Sequence, residues 1–352
     1  MYPQYSPSLD PGEIGKRLAR LLVPGRITDR DLERRIARLD ERFRVYAACS
    51  PHGLWAPGLA LTREMRGSAE LYLPLAEIRR AFQRLFSLSL RFDPFLPASV
   101  VHSSTSWPDA LHVLSPLVRE ANPATLLRLL SADSEFRARF LFSLFLPRRY
   151  GGTFSRYPAQ LAFLEKWLAT HRPSRAMRCL DAACGSGEGT YELTLLLLAQ
   201  GFGPRKIAVH GTTVEPLELF AAAHGWFPHD AVRQEAFRRR IRPIFADGAA
   251  ERIIFSHEDL TADGRGAEER YDIILCNGLL GGPLLSGRTE LEVTVRGLCG
   301  RLKGGGILLA ADRFHAGWKR PAPDGLIRTL LAENGLQVLA CDEGVAGRRP
   351  RT

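Results

Sequence analysis

Residues 180–193 read LDAACGSGEGTYEL. An apolar run leads into an acid, a tight cluster of glycines follows, and TYELTLLLLAQ has the texture of a helix. This is a strand-to-helix turn of the kind that places backbone N–H groups against a ligand. The residues around the glycines decide which ligand. A phosphate-binding P-loop needs Lys and then Ser or Thr after its last glycine, whereas Thr190 and Tyr191 stand here, so that reading fails. A dinucleotide needs its pyrophosphate on the helix N-terminus, where N–H groups and the helix dipole favour negative charge. Asp181 and Glu188 place carboxylates on both sides of the turn and would repel it.

A cationic ligand suits the same turn. S-adenosyl-L-methionine carries a sulfonium and an ammonium group and no phosphate. The spacing hydrophobic-Asp-x-x-x-Gly-x-Gly-x-Gly-Thr resembles the first motif of class I methyltransferases. Gly185 and Gly187 are the candidates for close backbone approach to the ligand, since neither carries a Cβ.

Working outward, the strand candidates MRCLDAA, IAVHGTTVE, RIIFSHE, YDIILCN, GGILLAAD and LQVLACD alternate with the helix candidates AQLAFLEKWLATH, GTYELTLLLLAQ, PLELFAAAHG, ELEVTVRGLCGRL and DGLIRTLLAENG. This alternation over residues 151–345 is the signature of a parallel sheet with crossover helices, whose ligand lies at the carboxyl ends of the strands. The chain before it looks helical. Residues 1–70 form an N-terminal extension in which GEIGKRLARLLV and TDRDLERRIARLDERFRVYAAC have amphipathic spacing, with Thr28 or Asp29 placed to cap the second helix. Residues 71–150 form a helical subdomain, in which LAEIRRAFQRLFSLSL, PDALHVLSPLVREA and PATLLRLLSADSEFRARFLFSLFL set apolar residues three and four apart. The expected fold is α/β, a class I methyltransferase (Rossmann-like doubly wound sheet) preceded by a helical N-terminal region.

Composition narrows the class further. A chain of 352 residues, 45% hydrophobic and 24% charged, is ordinary for a globular protein of two or three domains. MYPQYSPSLDPGEIGK lacks the pattern of a signal peptide and runs such as LTLLLLA fall short of a membrane span, so a cytoplasmic protein is expected. Six scattered cysteines without a CxxC pair speak against a zinc or disulfide framework, and no metal is expected. The formal charge of +10 comes mainly from dispersed arginines, and no helix-turn-helix or RNA-binding motif accompanies it. Nucleic acid is therefore not favoured as a partner.

From GGTFSRYPAQLAFLEKWL to LKGGGILLAAD, residues 150–312 resemble the chemoreceptor glutamate methyltransferase family, the CheR type. TFSRYP supplies Thr153, Phe154, Arg156 and Pro158 of the family's Thr-aromatic-aromatic-Arg-Asp-Pro entry segment, and ACGSGEGTYE keeps Gly187, Glu188 and Tyr191 of its glycine turn. GTTVEPLELFAAAHGWFP is similar to the family's second-strand segment at Gly211, Thr212, Gly225 and Pro228, with Phe227 for a Tyr. RIIFSHEDL, YDIILCNGLL and RGLCGRLKGGGILLAAD match the strands that follow. Departures also occur: Thr213 stands where the family has an acid, Ser155 replaces an aromatic, and Gly278 aligns with an Asn.

The resemblance implies a set of cofactor-binding residues. Arg156 would pair with the methionine carboxylate of S-adenosyl-L-methionine, its planar fork matching a carboxylate, and Glu188 would take the ammonium group. Glu188 also fits a plain helix N-terminus. Glu215, after the second strand, would accept the ribose hydroxyls or else cap the helix after Pro216. Asp181 lies at the turn, Asp259 would face the adenine amino group or solvent, and Asn277 with Gly278 would reach the adenine region. Asp272 reads as structural, and Tyr191 as packing on its helix with a phenol near the methyl group as the alternative. The activity implied is a protein-glutamate O-methyltransferase acting on an acidic partner such as a chemoreceptor cytoplasmic region. The alternatives are a class I methyltransferase with another acceptor and a cofactor-binding scaffold without catalysis.

Overall fold

The computed structural model describes residues 4–50, 53–115, 117–146, 153–173, 175–262, 270–311, 322–323 and 325–351. The chain divides into two units. One comprises residues 10–147 and 227–234, the other residues 1–9, 148–226 and 235–352.

The first unit is helical, built from α1 (Pro11–Leu18), α2 (Arg30–Cys49), α3 (Arg63–Tyr72), α4 (Leu75–Ser89), α5 (Val100–Ser103), α6 (Trp107–Leu114), α7 (Pro123–Ala132) and α8 (Ser134–Phe145). Asp29 caps α2 by accepting the N–H of Leu32 at 2.8 Å, satisfying a donor that the helix itself leaves unpaired. The long helix α2 buries Leu32, Ile36 and Leu39 and packs on α3, α4 and α7. The segments before and after residue 70 therefore share one core. The helical stretch 123–146 is two helices, because Asp133 ends α7 in extended backbone and its carboxylate accepts the N–H groups of Glu135 and Phe136 to start α8. Buried Arg137 then donates to the carbonyls of Leu130, Val23 and Gly25, closing backbone groups that the turns leave open.

The second unit holds β1 (Gln4–Tyr5), α9 (Pro158–Thr170), β2 (Met177–Ala182), α10 (Glu188–Ala199), β3 (Ile207–Thr213), α11 (Pro216–His224), most of α12 (Ala231–Ala246), β4 (Ile253–His257), β5 (Tyr271–Leu275), α13 (Arg288–Gly300), β6 (Leu302–Ala311), α14 (Leu326–Glu333), β7 (Gln337–Cys341) and β8 (Gly344–Arg348). One sheet runs in the order β1-β4-β3-β2-β5-β6-β8-β7. Strands β4, β3, β2, β5 and β6 are parallel and read as near-continuous apolar runs, as strands covered on both faces must. The order reverses at β2, with β3 on one side and β5 on the other, which opens the crevice of a doubly wound sheet at the carboxyl ends of β2 and β5.

The purely parallel expectation needs correction at the edges. β1 pairs antiparallel with β4, and β8 runs antiparallel between β6 and β7. β8 is the strand GVAGR, whose two glycines give little strand signal. Gly344 sits so close to the backbone of β6 that a Cβ would lie 2.2 Å from the carbonyl oxygen of Ala310. The helix α12 also escapes the periodic reading, since it carries Pro243 and a run of arginines. Among the described residues no helix is long and apolar enough to cross a membrane.

Candidate functional site

The glycine turn lies where the sheet order reverses. β2 ends at Ala182, Ala183 takes a positive φ of 63°, and the N–H of Cys184 reaches back to the carbonyl of Thr212 at 2.8 Å. Gly185 (φ +54°) and Gly187 (φ +90°) complete the turn into α10, but the two glycines serve different ends. A Cβ on Gly187 would stand 2.7 Å from the Cβ of Ala222, so this glycine lets α10 pack against α11. A Cβ on Gly185 would meet nothing nearer than the Glu218 carboxylate at 4.0 Å. The space before Gly185 is therefore an open cradle with an acid on its rim.

Carboxylates crowd this cradle. Glu188, buried at the start of α10, accepts the hydroxyl of Ser186 at 2.7 Å. Glu218, half-buried on α11, accepts the hydroxyl of Thr213 at 2.7 Å. Glu218 thus stands five residues after position 213, where the family pattern has an acid, and Thr213 itself holds its carboxylate. Glu192 lies one turn beyond Glu188, and burial pushes its pKa up. Asp181, only 3% exposed, is raised to about 7 by burial, with Glu188 and Glu192 adding to the rise and the hydroxyl of Thr190, donating at 2.7 Å, opposing it. Its carboxylate is turned under α10, where a Cβ on Gly189 would touch it at 3.0 Å. Negative charge concentrated in a buried crevice favours a cation and repels phosphate. The cradle and its acids therefore fit a ligand with sulfonium and ammonium groups.

The entry segment closes the crevice from the other side. Ser155 takes a positive φ of 57°, and its N–H donates to the Glu192 carboxylate, fastening the segment to α10. The next residue, Arg156, lies with its guanidinium 4.9 Å from the centre of the Tyr157 ring. A Cβ on Gly278 would come within 3.8 Å of both terminal nitrogens of Arg156 and 3.5 Å of the Tyr157 hydroxyl. Arg156 is thereby set between the start of α10 and the end of β5. The helix α9 that follows begins at Pro158 with no cap of its own, and Glu343, in the turn between β7 and β8, accepts the N–H of Ala159 at 2.9 Å.

Other expected residues find different places. Glu215 is fully buried and accepts the N–H of Leu217 at 3.0 Å, so it caps α11. Asn277 exchanges both amide hydrogen bonds with Gln160 on α9, at 2.7 and 3.0 Å, and also accepts the N–H of Ala311. It ties α9 to the ends of β5 and β6. Gly278 has a φ of +71° and donates its N–H to the carbonyl of Ala311 at 3.2 Å. Asp259 is exposed, and its carboxylate accepts both the N–H and the hydroxyl of Thr261 in a local turn. The Tyr191 hydroxyl donates to the carbonyl of Ala222 at 2.9 Å inside the packing of α10 on α11. Asp272 holds Lys303 at 2.5 Å and the N–H of Arg178 at 2.8 Å, a structural task.

Three residues at the crevice were not read from the sequence as site residues: Glu192, Glu218 and Gln160. Glu192 follows Glu188 by four residues and so shares its helix face, a spacing that signals a common orientation. Glu218 lies in the first turn of α11, where an acid is expected for the helix dipole alone. Gln160 carried no signal beyond its place in an amphipathic run.

The chain can now be set beside known proteins. Residues 152–309 match the family model described as CheR methyltransferase, SAM binding domain. No curated protein matches the chain. Among solved structures, the magnesium protoporphyrin IX methyltransferase ChlM from Synechocystis PCC 6803, with bound SAM, is 17% identical, with a TM-score of 0.39 over 62% of this chain and 97% of that one. The N-methyltransferase NodS from Bradyrhizobium japonicum WM9 is 16% identical, with a TM-score of 0.36 over 56% of this chain and 100% of that one. The [4+2]-cyclase SpnF is 20% identical, with a TM-score of 0.33 over 51% of this chain, and the match spans 57% of SpnF. The glycine turn, the entry segment with Arg156 and the five parallel strands all fall within or at the edge of residues 152–309, which match a CheR-type, S-adenosyl-L-methionine-binding methyltransferase domain.

Proposed function

We propose that this protein transfers a methyl group from S-adenosyl-L-methionine to a glutamate carboxylate on an acidic protein segment, such as a chemoreceptor cytoplasmic region. The observation that carries the reading is the position of Arg156. Its segment is fastened to α10 through Glu192, and its guanidinium lies beside Gly278, three residues after β5, while the acids gather around Gly185. A cation on one side and carboxylates on the other match the two charged ends of an amino acid. In this reading Arg156 pairs with the methionine carboxylate, Glu188 and Glu218 receive the ammonium and hydroxyl groups, and Gly185 lets the backbone approach. Glu215, Asp181 and Asn277 support these residues from behind, and Gly278 leaves room beside Arg156.

The cofactor supplies a methyl group already activated as a sulfonium. A glutamate acceptor is ionised near neutral pH, so the protein needs no general base. What remains is alignment and exclusion of water. Well-oriented reactants gain about 7–11 kcal/mol in intramolecular models, which is enough to explain a site rich in positioning groups. The net charge of +10 favours encounter with an acidic partner.

A second reading, transfer to a different acceptor, is favoured by one specific feature: Gly278 replaces the family's Asn and the Asn277 amide is committed to Gln160. Incubation with methyl-labelled cofactor and chemoreceptor fragments separates the two. Label released as methanol by mild base establishes a carboxyl methyl ester. Base-stable label, or transfer only to a small molecule, overturns the glutamate assignment.

A further inference from the structure

The opposite edge of the sheet carries a second cleft. It has a volume of roughly 710 Å³ and is lined by Pro173, Arg175, Arg178, Arg270, Asp272, Leu302, Lys303, Gly304 and Arg349. These residues come from the amino ends of β2, β5 and β6 and from the segment after β8. The glycine turn leaves the carboxyl end of β2, and six strand residues at about 3.3 Å each put the two sites about 20 Å apart. Neither the match to the family nor the proposed methyl transfer uses this cleft.

Its chemistry is one-sided. Five of the lining side chains are cationic and one is a carboxylate. That carboxylate, Asp272, is already held by Lys303 and by the backbone N–H of Arg178. No carboxylate among the described residues forms a salt bridge with Arg175, Arg270 or Arg349, whose one hydrogen bond here goes to the carbonyl of Leu302 at 3.1 Å. Like charges gathered in a concave site repel one another and raise the local concentration of anions. Guanidinium groups in particular match the bidentate geometry of phosphate.

We infer that this cleft binds a compact polyanion bearing two or more phosphate groups, held by Arg175, Arg270 and Arg349. The volume lies within the range of small-molecule sites, about 300–1,000 Å³. The cleft runs from β2 across β5 to β6, two strand spacings or about 9–10 Å, a span that one phosphate cannot cover and two or three can. The phosphates come either from a free metabolite or from a lipid headgroup.

Calorimetric titration of the full chain with inorganic tripolyphosphate, and co-sedimentation with vesicles containing phosphatidylinositol bisphosphate, test the site and tell the two sources apart. The expected result is saturable one-to-one binding in at least one arm. It weakens as salt rises and falls about tenfold or more in Arg175→Ala/Arg270→Ala. Arg239→Ala, an exposed arginine on α12 that does not line the cleft, leaves it unchanged. Binding of S-adenosylhomocysteine by the double variant at wild-type affinity shows that the fold and the other crevice are intact, so this outcome is independent of the methyl-transfer reading. Absence of saturable binding in both arms, equal loss in Arg239→Ala, or stronger binding to single-stranded DNA than to either probe overturns the inference.

Discussion

At the scale of single residues, glycines of one motif do unlike work. Gly187 allows two helices to meet, whereas Gly185 opens toward the cradle. Alanine at 187 forces a clash at 2.7 Å together with an unfavourable positive φ, and is expected to cost at least about 2 kcal/mol in a denaturant titration. Alanine at 185 carries only the backbone term, about 1–2 kcal/mol, and weakens S-adenosylhomocysteine binding more than it weakens the fold. Equal effects of the two variants on stability would contradict this division. Asp181 provides a pH test. Its folded pKa, raised by burial to about 7, stands above its ordinary value of 3.8, so the folded state holds a proton that the unfolded state releases. Stability from this group is present below about pH 4 and is lost as pH rises through about 7. Asp181→Asn keeps an acceptor for Thr190 and removes that loss. Its melting temperature relative to wild type is expected to rise between about pH 5 and pH 8, and a pH-independent difference would refute the assignment.

At the scale of elements, the site depends on parts that the motif does not contain. The helix α9 lacks its own cap, and Glu343, far along the chain in the turn between β7 and β8, supplies it. That tie positions Gln160, which in turn holds Asn277, and it steadies the segment carrying Arg156. Replacing Glu343 by Ala is expected to cost about 1 kcal/mol of stability and to weaken S-adenosylhomocysteine binding, although Glu343 lies outside the glycine turn. Unchanged affinity in this variant would show that the entry segment is fixed by other contacts. Such long-range ties were not legible in the sequence. Strands β2 to β7 were, because each is an apolar run bounded by turn residues. β8, with two glycines in five residues, and β1, with two residues in all, have too little side-chain pattern to register. The caps followed the same rule. Asp29 was legible because it acts three residues away, whereas Glu343 acts across 184 residues.

At the scale of the whole molecule, the order of segments from TFSRYP to LKGGGILL was enough to place the domain, since the order and spacing of several segments carry more information than any single position. Individual roles were less legible. Glu215 and Asp181 are buried against backbone and hydroxyl partners, and Glu218 lies nearest Gly185, placements that no local spacing announces. In the proposed function, this acidic, glycine-lined crevice holds S-adenosyl-L-methionine with Arg156 at its carboxylate. Calorimetric titration of the full chain with S-adenosylhomocysteine, in wild type and in Arg156→Ala, tests it most directly. The expected result is one site of about micromolar affinity that weakens roughly tenfold in the variant. Binding of NADH in place of S-adenosylhomocysteine, or an affinity that Arg156→Ala leaves unchanged, would contradict it.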